Sequence, residues 1–167
     1  MFRIIFAAAF LVLLSSCAPE SGAMTAGPGQ PAAGSPLANA IAVGAVVGGA
    51  SNNSFVYADV SNEDLRAALQ QSLEGRGLFT PADARYALSL TLAMERETTG
   101  TNSTVHVRIR YTLVEYKSGR TLVDETLDTT SDVALSASAG LPYKSAQEDA
   151  IKRNITQMMD KLDRWGG

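Results

Sequence analysis

One cysteine and one histidine among 167 residues exclude an intrachain disulfide framework and leave no set of soft ligands for a structural zinc site. Basic residues are also short: 14 Lys and Arg face 17 Asp and Glu, for a formal charge of -3, and removing the segment that carries Arg3 makes it -4. A protein that binds a phosphate backbone needs a surplus of cations, so nucleic acid is not an expected partner. Catalysis needs a nucleophile, acid, base or metal in convergent geometry, and the shortage of His, Cys and clustered acids points away from an enzyme. The acidic residues Asp124, Glu125 and Asp128 lack the turn spacing of a hard-cation loop. Gly44, Gly48 and Gly49 do not follow G-x-G-x-x-G and mark a turn or bulge instead. No metal is therefore expected. What remains is 46% hydrophobic residues, enough for one modest domain but unevenly placed along the chain.

Eleven apolar residues, Ile4 to Leu14, follow the short positive start Met1-Phe2-Arg3 and run straight into Ser15-Ser16-Cys17. That order is a secretory signal. As a helix the run covers roughly 17 Å, about half of a 30 Å bilayer core, so it is too short to span. Leu14-Ser15-Ser16-Cys17 resembles a bacterial lipobox. The resemblance implies cleavage between Ser16 and Cys17, with a diacylglycerol on the Cys17 sulfur and a further acyl chain on its amine. Several chains together hold a protein on a bilayer where one is marginal, at about 0.8 kcal/mol per buried methylene. Beyond that covalent lipid no cofactor is expected. Ala18 stands where, under the enterobacterial sorting rule, an Asp would retain the protein in the inner membrane. The expected address is thus the periplasmic face of the outer membrane. The domains read as residues 1–16, signal peptide; 17–36, lipidated N-terminus and a disordered tether rich in Ala, Gly, Pro and Ser; and 37–167, one periplasmic domain.

Within that domain the small and β-branched run from Ala40 to Val47 predicts a strand. Ser61 as N-cap, Asp64 at the capping-box position and Val60 with Leu65 as a staple predict a helix that ends near Glu74 to Arg76, before Gly77. Period-two alternation predicts strands over Tyr86 to Met94, over Val105 to Leu113, and from Leu122 to about Thr129, with a polar link at Thr98 to Ser103 and a turn at Lys117-Ser118-Gly119. A loop from Thr130 to Pro142 then leads to a helix opened by Ser145 and Glu148, whose stripe is Ile151, Ile155, Met158, Leu162 and Trp165. The predicted class is α+β: a two-layer sandwich with an approximately four-stranded, mostly antiparallel sheet and two helices on one face, in the order β-α-β-β-β-α.

Strand alternation places His106, Arg108 and Arg110 on one side of the sheet. The plainest reading is a solvated face; a basic row that meets lipid phosphates or a partner's carboxylates is the functional one, with neutralisation by cross-strand acids as its alternative. Met158 and Trp165 read as core.

The lipobox, the Ser61-Asn62-Glu63-Asp64-Leu65 helix start, the strand ending in Arg110-Tyr111-Thr112-Leu113-Val114 and the closing helix together resemble small Gram-negative envelope lipoproteins, of the lipopolysaccharide-assembly (LptE) and YajG types. The resemblance implies a non-enzymatic assembly or accessory factor. It would be held to the membrane by its lipid and act through an envelope protein partner, with lipopolysaccharide or another lipid as further contact at the Arg108 and Arg110 face. A carrier or sensor that binds lipid or glycan between helices and sheet is the alternative.

Overall fold

The computed structural model describes residues 21–49, 60–99, 102–134 and 140–165; the signal sequence, Ser16, Cys17 and the Ser51 to Ser54 stretch lie outside them. The elements are α1 (Ser21–Met24), β1 (Ile41–Val47), α2 (Asn62–Gly75), β2 (Tyr86–Thr99), β3 (Asn102–Glu115), β4 (Thr121–Ala134) and α3 (Gly140–Asp163). The sheet runs β1-β2-β3-β4, with β1 parallel to β2 and the other pairs antiparallel. Both long helices cover one face, so the predicted two-layer α+β arrangement is the one observed.

The ends of α2 follow from side-chain chemistry. Ser61 Oγ accepts the Asp64 N–H at 3.0 Å and donates to the Asp64 carboxylate at 2.6 Å. At the other end the Leu78 N–H reaches Leu73 O and the Gly77 N–H reaches Glu74 O, with Gly77 at φ +66°. That is a Schellman closure, and it turns the chain to the start of β1, where Leu78 O accepts from the Ile41 N–H at 3.0 Å.

The core lies between the helices and one face of the sheet: Leu65, Leu69 and Leu73 of α2, Leu88, Leu90, Ile109, Tyr111 and Leu113 of the strands, and Ile151, Ile155, Met158 and Leu162 of α3 are all essentially fully buried. Three boundaries differ from the sequence expectation. Much of the link expected at Thr98 to Ser103 is strand, because pairing carries β2 on to Thr99 and starts β3 at Asn102, with Thr98 opposite Ser103. β4 continues through Thr130 to Ala134, because β3 offers ladder positions as far as Asn102; Thr130 pairs with His106 and Val133 with Ser103. Its Ser and Asp side chains suggest a turn, but a ladder partner overrides that local preference. Likewise α3 begins at Gly140, so Ser145 is an exposed residue inside the helix rather than its cap. Pro142 fits there because a helix tolerates proline in its first turn.

The largest correction concerns the expected tether. Residues 21–36 pack on the helices: Met24 and Ala26 are buried, and α1 touches both α2 and α3. The Ala26 N–H donates to Ser72 Oγ at 2.9 Å, the Gly29 N–H to Gly75 O at 3.2 Å and the Ala32 N–H to Asp163 O at 2.7 Å. A stretch of small residues and prolines holds little to bury by itself. Here it fits against grooves that the helix ends provide, with Met24 as its one large apolar anchor.

Candidate functional site

The face of the sheet away from the helices is open and polar. It is built by the alternate residues of three long strands: Ala87, Ser89, Thr91, Ala93 and Glu95 of β2, then Thr104, His106, Arg108, Arg110 and Thr112 of β3, then Asp124, Thr126, Asp128, Thr130 and Asp132 of β4. Short side chains on β2 leave the centre of this face flat. As the sequence predicts, His106, Arg108 and Arg110 stand together on it.

Each of the three meets an acid. Arg108 Nε donates to Asp128 at 2.7 Å, across the strand pair. Arg110 makes two bonds to Asp124, at 2.7 and 2.6 Å, one step along the diagonal. His106 Nε2 lies 3.5 Å from Glu97 on the other side. The row exists, but its charge is balanced, which is the alternative that cross-strand neighbours raise. The hydrogen bonds from Arg110 hold the Asp124 carboxyl below its ordinary pKa, and the same pair raises that of Arg110. These side chains are about half exposed or more. Solvent screens such exposed pairs, so they can open for another anion at small cost.

Between Ala93, Glu95, His106, Arg108, Asp128 and Thr130 the face dips into a depression of about 90 Å³. That is room for roughly three waters, well short of a lipid chain. Among the described residues no group of three His, Cys, Asp or Glu side chains is placed to hold a metal.

Two polar clusters escaped the sequence reading. Asn154, fully buried on α3, accepts from the Tyr111 hydroxyl at 3.1 Å and donates to Leu127 O at 2.8 Å and Thr129 Oγ1 at 3.3 Å. Its signal was its position, three residues after Ile151 on the apolar stripe. Burial pushes the Tyr111 phenol well above its usual pKa, so it remains a donor. The second cluster is Arg76, whose side chain is 8% exposed. It contacts the carboxylates of Asp160, at 2.9 Å, and Asp163, and donates to Gly27 O at 2.7 Å. It therefore ties the N-terminal segment to the ends of α2 and α3. Sequence offers no sign of this, since Arg76 reads as an ordinary residue at a helix end.

A model of the LptE lipopolysaccharide-assembly family matches residues 47–162, which take in α2, all three long strands and nearly all of α3. The chain belongs to the LptE family. Solved structures similar to it include the XCC0632 protein of Xanthomonas campestris, with TM-score 0.54 and 15% identity over 83% of this chain and 81% of that one. A minor lipoprotein of Acinetobacter baumannii gives TM-score 0.55 and 14% identity over 75% and 91%. The CT253 protein of Chlamydia trachomatis gives 0.57 and 7% over 81% and 96%. At these identities the likeness concerns the fold. No curated protein matches the chain. As an LptE-family member it is a small envelope-type lipoprotein by kinship, and no helix among its described residues is long and apolar enough to cross a membrane.

Proposed function

We propose that this LptE-family chain is a lipid-anchored, non-enzymatic assembly factor that acts by protein contact at the periplasmic face of the outer membrane, with Cys17 bearing the acyl chains. The family match over residues 47–162 is the observation that carries this reading. The geometry supports it. The open face is broad, flat and hydrogen-bonding, suited to apposition with another protein, and its depression is too small to sequester a lipid chain.

Within the same reading Arg108 and Arg110 are the candidate contacts for lipopolysaccharide phosphates, reached by exchanging Asp128 and Asp124 for the phosphate. Arg suits that exchange because its planar fork recognises phosphate in two-point fashion. If Arg108→Ala combined with Arg110→Ala leaves lipopolysaccharide transport intact, this assignment is removed.

The test of the whole proposal is crosslinking in intact cells and recovery of the mature protein, with Cys17→Ala as the unanchored control. Recovery of an outer-membrane barrel of the lipopolysaccharide pathway, lost in the control, is the expected result. Co-purifying lipid or glycan without a protein partner would overturn it in favour of a carrier or sensor.

A further inference from the structure

The sheet has two outer strands, and their edges are finished differently. On β1 the Thr80 N–H donates to Ile41 O at 2.9 Å, Phe79 forms a bridge with Ile41, and the Arg66 guanidinium donates to Gly44 O at 2.9 Å. Those contacts close much of that edge. β4 has β3 on one side and, among the described residues, no strand on the other.

Register decides which backbone groups that edge presents. The Tyr86 N–H binds Ala40 O on the β1 side, so the even-numbered residues of β2 face β1 and the odd ones face β3. Pairing of Ser89 with Thr112 and of Leu90 with Tyr111 carries the alternation into β3, whose odd residues then face β4. Tyr111 pairs with Glu125 and Ile109 with Leu127. Glu125, Leu127 and Thr129 therefore bond to β3, while Asp124, Thr126 and Asp128 turn their N–H and C=O outward. Arg153 of α3 agrees with this, because it reaches the outward Thr130 O. At the other end Leu113 pairs with Val123 and Val114 with Thr121, which leaves Leu122 as the extra residue of a bulge. Bulge and guanidinium are devices that stop strand addition. Between them lies an open window, Asp124 to Asp128, about 17 Å of strand.

The side chains of the window say what suits it. Asp124, Glu125 and Asp128 place three carboxylates in five residues, and their cations come from within: Arg110 and Arg108 of β3, and Lys161 of α3. Asp128 meets Arg108 through Oδ1 alone, and a carboxylate accepts from several directions. A donor on the outer side thus has a place. A second copy of this strand, turned antiparallel about a twofold axis at Thr126, sets Asp124 against Asp128 on both sides of the axis, and like charges directly opposite destabilise a pair.

We propose that the β4 edge from Asp124 to Asp128 is a strand-addition site for an extended segment of a partner protein that carries basic side chains at alternate positions. This rests on the reading of the chain as one that acts through a protein partner. Main-chain bonds to the three outward residues supply the attachment, and the carboxylates on the open-face side select the charge.

Amide exchange, read residue by residue in the mature protein in neutral detergent, tests it. In the protein alone the Asp124, Thr126 and Asp128 amides should exchange fast and those of Glu125, Leu127 and Thr129 slowly. The probe is the capped peptide Thr-Lys-Val-Lys-Val-Lys-Thr. At about ten times its dissociation constant it should slow the three fast amides about tenfold, and the same peptide with Glu for Lys should not. Asp124→Asn with Asp128→Asn should reduce the preference for the Lys peptide, the slow amides staying slow as the sign of an intact ladder. Slow exchange at the outward amides before any peptide is added would overturn the proposal, since the edge is then already covered. So would a Lys peptide that leaves them fast. If crosslinking in cells still recovers a protein partner in that case, the edge fails and the assembly-factor reading stands; edge protection in a protein that recovers only lipid does the reverse.

Discussion

Asn154 sits fully buried on the face of α3 that covers β3 and β4, and its removal tests whether that polar contact fixes how helix and sheet meet. Asn154→Leu keeps the approximate volume but strands the Tyr111 hydroxyl and withdraws the donor from Leu127 O. An unsatisfied buried group costs about 1–3 kcal/mol, so two of them predict a loss of roughly 3 kcal/mol. Tyr111→Phe takes away only the hydroxyl and should cost about 1–2 kcal/mol. The double variant leaves neither partner stranded on the other, so its loss should fall short of the sum by about 1 kcal/mol or more. Urea unfolding at pH 7, followed by far-ultraviolet circular dichroism, reads all three. The phenol supplies a further mark. Its pKa is raised in the folded state, so the folded form keeps a proton that the unfolded form releases, and stability falls as pH rises past about 10. Tyr111→Phe should flatten that alkaline limb. Strictly additive losses, or an Asn154→Leu variant within about 0.5 kcal/mol of the parent protein, would refute the reasoning.

Arg76→Met should destabilise the domain by about 2 kcal/mol, below the cost of breaking a fully buried pair, since it leaves the partly buried Asp163 without its cation. Hydrogen exchange should speed up selectively at Ala26, Gly29 and Ala32, whose amides bind the helices; unchanged exchange there would show that Arg76 does not hold the segment. Gly48→Ala should cost about 2 kcal/mol in chemical denaturation, because φ is +97° and a Cβ would lie 1.9 Å from Leu92 O. The Asp124 carboxyl has a lowered pKa when folded, so its contribution is present above its unfolded pKa and disappears as pH falls through the folded one. Asp124→Asn should therefore flatten the acid limb of stability below about pH 4, measured by thermal melts between pH 2 and 6.

The elements that sequence reveals best are those with a strong local rhythm. Tyr86 to Met94 and Val105 to Leu113 alternate because one face is buried, and Leu65, Leu69 and Leu73 repeat because one stripe of α2 is. Legibility ends where burial ends: Glu95 to Thr99 are all exposed, and their strand state comes from pairing with β3, which is a nonlocal fact. The packing of residues 21–36 is hidden for a similar reason, as backbone amides that bind distant carbonyls leave no side-chain pattern. On the open face, alternation finds Arg108 and Arg110 together, but register decides that Asp128 and Asp124 lie against them. The capping pattern at Ser145 misleads because a helix with a favourable partner surface extends beyond a plausible start.

The N-terminal segment also joins the beginning of the chain to its end. Ala32 binds Asp163 O, and the Ser35 hydroxyl donates to Trp165 O at 3.1 Å. For a chain that emerges N-terminus first, residues 25–29 can meet α2 early, but the sites that Ala32 and Ser35 bind exist only once the closing helix has also emerged. Long-range closure of this kind is slow compared with local pairing. It leaves the N-terminal segment only half docked until late, and fixes residues 32–35 to the domain when the last turn of α3 arrives.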